Sequence, residues 1–146
     1  MELKFVFLVV ILLMGVVFIS GCRTKEFRPQ VSLALDKNSV SLNDGTLSGF
    51  ITATITRLDN ERRDTVFVLK FPENKKDVYP TNVDGVRITE IPTRTLKEQN
   101  SIDTLQFKIF GSKGEATNAS YDLKVELWWN NTRIENQDKT ITITIK

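Results

Sequence analysis

The chain has 146 residues, and its 20 Lys and Arg residues against 18 Asp and Glu residues give a net charge of +2. This balance provides no electrostatic basis for binding nucleic acid or an acidic substrate. The chain contains no His and one Cys, so it lacks the commonest general base and metal ligand and cannot form an internal disulfide. We therefore expect no catalytic residue, no metal site and no cofactor.

The N-terminus begins with an apolar run over residues 5–19, which follows Lys4 and precedes small residues. A positive start, an apolar core and small residues before a cleavage point are the parts of a secretory signal. The segment Ile19-Ser20-Gly21-Cys22 resembles the lipobox of prokaryotic lipoproteins. The resemblance implies cleavage before Cys22 and attachment of lipid to its thiol. The alternative is an N-terminal membrane helix that is not cleaved.

These observations predict a signal peptide over residues 1–21, a tether over 22–30 and a folded domain over 31–146. The tether carries Arg23, Lys25 and Arg28, which could touch anionic lipid headgroups. Pro29 interrupts any helix there, and we interpret the segment as a solvated linker. The predicted location is the outer face of the cell membrane, where Cys22 would be the anchor.

From Val31 onward, apolar residues alternate with polar ones in short segments separated by turn signals. Such period-two segments predict β-strands, and no segment has a convincing helical period. Residues 73–85 and 111–114 are predicted to be turns. The pattern predicts a single all-β sandwich. We expect about seven strands. The first covers residues 31–42 and has a polar interruption, and the others cover residues 47–58, 65–71, 86–91, 102–110, 121–129 and 139–146.

Two adjacent tryptophans lie in the strand predicted over residues 121–129. Neighbouring side chains of a strand point to opposite faces, so Trp129 is predicted to face the core and Trp128 to face outward. An outward tryptophan is a usual anchor for a partner protein or a glycan, which makes Trp128 a candidate contact residue. The alternative is that a neighbouring loop, or the arm over residues 25–29, covers Trp128.

The layout of residues 31–146 resembles an immunoglobulin-like domain of the CARDB and fibronectin-like kind. The resemblance depends on residues 51–55 as strand B, 92–110 leading into strand E, and 119–129 as strand F. It implies that Tyr121 forms a tyrosine corner, in which the hydroxyl bonds to the upstream backbone. The chain lacks the Cys…Trp…Cys set of antibody domains, and Ala119-Ser120 stand where glycine is usual.

Two sequons, beginning at Asn118 and Asn130, flank this strand and are candidate glycosylation sites. Aspartates in or beside loops could bind calcium, but the D-x-D-x-D-G spacing is missing. Two of the three carboxylates Glu61, Asp64 and Glu73 could act as a paired acid and base, but nothing in the sequence places two of them together.

We expect a membrane-anchored extracytoplasmic lipoprotein that is not an enzyme and serves as a binding, adhesion or structural module. One alternative is an accessory subunit of an envelope complex, such as a transporter or a secretion or pilus apparatus. A less favoured alternative is a hydrolase that uses loop carboxylates. The expected partners are the membrane, through lipidated Cys22, and a surface protein or glycan, but not nucleic acid.

Overall fold

A computed structural model describes residues 26–73, 75–115 and 119–146. Every regular element among these residues is a β-strand, which agrees with the all-β prediction. Several strands are only two to four residues long, so the segments outnumber the predicted seven. They are β1 (Val31–Leu35), β2 (Ser39–Leu42), β3 (Thr46–Leu47), β4 (Ile51–Arg57), β5 (Phe67–Lys70), β6 (Val78–Thr81), β7 (Glu90–Pro92), β8 (Ile102–Gly111), β9 (Ala119–Trp129), β10 (Thr132–Arg133) and β11 (Lys139–Ile145).

The strands form two sheets. The first has the order β1-β4-β8-β3, and β6 also pairs with β8. The second has the order β2-β11-β9-β5-β7, and β10 pairs with β9. Strands β2 and β11 are parallel, and the other pairs are antiparallel. The result is a sandwich whose inner faces enclose one core.

Period-two alternation decides which side chains enter the core. Ile51, Ala53 and Ile55 of β4 are fully buried, whereas the intervening threonines are only half-buried. The predicted inward set of β8 and the Ile series of β11 are likewise buried, and so are Leu123, Val125 and Leu127 of β9. Tyr121 and Trp129, at the two ends of the inward set of β9, are only partly buried. Burying a side chain of this size stabilises the fold by ~1.5–3 kcal/mol.

The segment predicted to be a turn over residues 73–85 contains strand β6, so this part of the prediction is wrong. Pro80 lies within the strand and pairs with Ile109 of β8. The Pro80 carbonyl accepts a hydrogen bond from the Ile88 N–H and so points away from β8. The nitrogen of a strand residue points to the same side as its carbonyl, so the missing N–H of Pro80 removes no hydrogen bond between β6 and β8. The strand predicted over residues 86–91 is shorter than expected, because β7 begins only at Glu90, and Pro92 is its last residue.

The strand predicted over residues 47–58 is interrupted by a β-bulge. Leu47 pairs with Phe110 and Ile51 with Phe107, so this side has one residue more than β8. The Ser48 hydroxyl accepts a hydrogen bond from the Ile109 N–H at 2.8 Å. The bulge places Leu47 on the outer face and Ile51 in the core, although both have odd numbers.

Strands β9 and β10 are joined by Asn130 and Asn131, which both have positive φ, 46° and 61°. Positive φ at both central residues is what a two-residue type I′ hairpin requires, and asparagine tolerates it better than most residues.

The end of the predicted tether packs on the domain. The Phe27 ring lies edge-to-face against Trp129 with 5.6 Å between centroids. The Gln30 N–H donates to Asp59 at 3.1 Å, and the Gln30 carbonyl accepts from the Leu58 N–H. The interpretation as a solvated linker is therefore wrong for residues 26–30, which we call the arm.

Candidate contact surface around Trp128

Trp128 lies near the end of β9 at the centre of a cross-strand row. It pairs with Val68 of β5 on one side and with Arg133 of β10 on the other. Val68 pairs in turn with Pro92 of β7. Because directly opposite residues share a face, these four side chains form a row across the outer face of the second sheet. We call this row and its polar neighbours the Trp128 face.

The indole is held by charged side chains. Its Nε1–H donates to Oε2 of Glu126 at 2.9 Å, and Arg133 Nη1 donates to Oε1 of the same carboxylate at 3.3 Å. Glu126 is only 8% exposed although it alternates outward. Lys70 Nζ lies 4.5 Å from the Trp128 ring centroid and 3.7 Å from Glu90. A cation at this distance from an indole is favourable by ~0.5–1 kcal/mol at an exposed site.

Trp128 is thus half-buried within its own sheet face. The arm does not cover Trp128, because Phe27 of the arm packs on Trp129 instead, so that alternative is wrong. Sequence alternation placed Trp128 outward but could not show that Lys70, Glu126 and Arg133 would converge on it. The arrangement offers a fixed indole, a short apolar row and a charged rim, which together suit contact with another molecule.

The other predicted site residues lie in different places. Trp129 is partly buried and packs against the core. Asn130 is exposed at the first position of the hairpin turn, whereas Cys22 and Asn118 lie outside the described residues. Lipid attachment and glycosylation therefore stay predictions.

Tyr121 is half-buried against the core, and Lys75 Nζ lies 5.0 Å from its ring centroid. The upstream backbone at residues 116–118 lies outside the described ranges, so the tyrosine corner stays a prediction.

Sequence reasoning missed a buried ion pair at the end of β4. Arg57 is fully buried, and its guanidinium contacts Asp59 through three hydrogen bonds of 2.8–3.2 Å. It also donates to the carbonyls of Glu61, Arg63 and Leu96. Burial alone would raise the pKa of Asp59, but hydrogen bonding and charge from Arg57 outweigh it, so the pKa is lowered. The sequence does contain a signal for the burial of Arg57, because the alternation that turns Ile55 toward the core continues two residues further to Arg57.

The loop carboxylates are engaged separately. Glu73 pairs with Lys124 at 2.7 Å, while Glu61 and Asp64 lie in the loop that Arg57 holds. The backbone N–H of Lys113 and the Ser112 hydroxyl bond to Asp44 and lower its pKa. Within residues 26–73, 75–115 and 119–146, no group of three acidic side chains is arranged to hold a metal ion.

Within the same ranges, no helix has the length and apolar character needed to cross a membrane.

No protein-family model matches the sequence, and no curated protein matches it significantly. Among solved structures, the chain is similar to the CARDB domain of the PF1109 protein of Pyrococcus furiosus, solved in complex with di-metal ions. The TM-score is 0.51 and the identity 12%, over 80% of this chain and 93% of that one. A PapD-like domain of human CEP192 aligns with a TM-score of 0.38 and 12% identity, over 88% of this chain and 94% of that one.

The CARDB likeness and the two-sheet topology confirm the predicted fold class, an immunoglobulin-like β-sandwich. At 12% identity the likeness concerns the fold alone.

Proposed function

We propose that this protein is a lipid-anchored, extracytoplasmic binding module that works by contact and not by catalysis. The immunoglobulin-like fold supports the class, because such sandwiches commonly serve as contact modules. The lipobox-like segment ending at Cys22 supports the anchor. Neither the adhesion role nor the role as a subunit of an envelope complex has a specific observation in its favour.

The observation that carries the proposal is the ordered environment of Trp128. Its indole is bonded to a nearly buried carboxylate and lies beside the Lys70 ammonium. Aromatic side chains that are fixed in this way lose little entropy on binding, so they make good anchors. The exposed Pro92 and half-buried Val68 beside it extend the apolar area.

The contact role is tested by recovering the full chain from native membranes in mild detergent and quantifying co-purifying molecules by mass spectrometry. We expect Trp128→Ala to lower recovery of the specific partner at least tenfold. Thr142→Ala, on the outer face of β11 in the same sheet, is the matched control and is expected to leave recovery unchanged. Equal recovery from both variants would remove the Trp128 face from the proposal.

The anchor is tested independently by the intact mass of the protein from membranes. We expect a chain that begins at Cys22 and carries acyl groups, and a Cys22→Ser variant that remains unprocessed. Two or more acyl chains are needed for stable anchoring, since each buried CH₂ contributes ~0.8 kcal/mol. A mature protein that retains residues 1–21 without lipid would contradict the anchor.

A further inference from the structure

A second surface, on the first sheet, combines exposed apolar side chains with aromatic rings. Phe110 of β8 is flanked by Leu47 of β3 on one side and by Tyr79 of β6 on the other. The turn at Gly85 closes over Leu47, since a Cβ at Gly85 would lie 3.3 Å from its Cδ1. We call this surface the Phe110 patch. Its most exposed members are Leu47 (42%), Phe50 (43%), Val83 (47%) and Val86 (61%).

Cationic side chains contact the aromatic residues of the Phe110 patch. Lys108 Nζ lies 4.6 Å from the Phe50 ring centroid, and Arg87 Cζ lies 4.7 Å from that of Tyr79. Lys37 Nζ donates to the Phe50 carbonyl at 2.6 Å. These three cations thus contact the aromatic residues of the patch. Two carboxylates also lie there: Asp84 in the loop between Val83 and Val86, and Asp36, which accepts a hydrogen bond from the Thr52 N–H at 2.8 Å.

We propose that the Phe110 patch docks an acidic protein partner. Apolar side chains of the partner cover Leu47, Phe50 and Val86, and its carboxylates pair with Lys37 and Lys108. An apolar centre with a charged rim is the usual anatomy of a protein interface. Charge complementarity of this kind selects the partner and speeds association more than it adds affinity.

The ring contacts favour a protein over a glycan. A sugar binds aromatic residues by stacking on a ring face. The Tyr79 ring is stacked on Phe110 at 5.0 Å with an interplanar angle of 25°, and it also carries Arg87. The Phe50 ring carries Lys108. Each of these rings therefore already has a stacking or cation contact, which leaves less ring face for a sugar than a free aromatic side chain would offer.

The position of the patch also favours an external partner, and this step rests on the proposed anchor. The arm contacts the end of the sandwich at which β4 finishes and β8 begins. Phe110 lies eight residues along β8 from Ile102, which is ~27 Å at the rise of a strand. A domain anchored through the arm therefore presents the Phe110 patch on the side away from the membrane.

The proposal is tested by photocross-linking the full chain in its native cells, with benzoylphenylalanine in place of Phe50. The matched control carries the same group in place of Ile102, which is 53% exposed on the outer face at the other end of β8. We expect a protein adduct from position 50 that is at least tenfold weaker from position 102. Lys37→Glu with Lys108→Glu is expected to lower the position-50 adduct at least fivefold, whereas Lys97→Glu, in an exposed loop at the opposite end, leaves it unchanged.

Three results would overturn the proposal: equal adducts from both positions, an adduct unchanged by the charge reversals, or an adduct whose mass identifies a glycan or a lipid. Fractionation of the same cells before irradiation reports separately on the anchor. A soluble protein that still gives the charge-sensitive adduct would contradict the anchor and leave the Phe110 patch in place.

Discussion

At the scale of single residues, the least predictable feature is the Arg57–Asp59 pair. A fully buried guanidinium costs several kcal/mol of desolvation, which is recovered only when its donors are all satisfied. Here a carboxylate and three backbone carbonyls satisfy it. The pair closes the charged loop over residues 58–64 and meets the arm through Gln30. The charged composition of this loop predicts a solvated segment. The structure shows instead that the buried Arg57 guanidinium holds the loop by hydrogen bonds to the Glu61 and Arg63 carbonyls.

Replacing Asp59 by Ala is expected to destabilise the protein by ~3–5 kcal/mol at pH 7, because it leaves Arg57 buried without a counter-charge. The pKa of Asp59 is lowered in the folded state, so its contribution is present above the unfolded pKa of ~3.9 and is lost as pH falls through the folded pKa. The difference between wild type and Asp59→Ala should therefore shrink below about pH 4. Urea unfolding across pH measures this, and Asp64→Ala, exposed in the same loop, should change stability little at any pH.

Gly111 was predicted to begin a flexible turn, yet it is the buried last residue of β8. A Cβ there would lie 2.9 Å from Cδ1 of both Ile145 and Leu42. We expect Gly111→Ala to cost ~1–3 kcal/mol by overpacking this contact between the two sheets. Thermal melts against Gly49→Ala, whose Cβ would meet only Lys37 Nζ at 3.8 Å, test the effect. Equal melting temperatures for the two variants would show that the core adjusts without cost.

At the scale of elements, strand periodicity predicted the long strands well and the short ones poorly. The faces of β4, β8, β9 and β11 follow from alternation, because a two-sheet core buries every second side chain. Strand β6 was missed because Pro80 and polar neighbours mimic a turn. The strand predicted over residues 65–71 is apolar throughout, yet Val66 is 43% exposed, because only one side of this segment meets the core.

The arm is the element with the most direct test. Phe27→Ala removes an edge-to-face contact with Trp129, worth ~0.5–1.5 kcal/mol, and the contact with the Arg63 guanidinium, 4.8 Å from the ring centroid. We expect faster hydrogen exchange of the Leu58 N–H, which donates to the Gln30 carbonyl of the arm, and a red shift of Trp129 emission. Glu26→Ala, which removes only an exposed ion pair with Arg28, should change neither. An unchanged exchange rate of the Leu58 N–H in Phe27→Ala would show that backbone contacts alone hold the arm.

At the scale of the whole molecule, the two candidate surfaces lie at opposite ends of the sandwich. The Trp128 face adjoins the arm, because Trp129 contacts Phe27, whereas the Phe110 patch lies at the far end of β8. Sequence alternation found Trp128 and the fold class. It could not find the Phe110 patch, because that surface joins residues from three strands and from several connecting segments that are distant in the chain.

The sheets pair strands that are far apart in sequence, such as β2 with β11 and β4 with β8. Folding must close these long loops before the contacts form, so we expect refolding in milliseconds to seconds. Stopped-flow tryptophan fluorescence after dilution from urea measures the rate. A refolding phase complete within microseconds would contradict this dependence on long-range pairing.

The bulge between β3 and β4 has a consequence for length variation. Removing one residue inside a strand normally turns every following side chain to the wrong side of the sheet. Between Leu47 and Ile51 the chain already has one residue to spare relative to β8, so loss of Gly49 would straighten the strand with Leu47 still facing solvent and Ile51 still facing inward. Relatives one residue shorter at this position are compatible with the same sandwich.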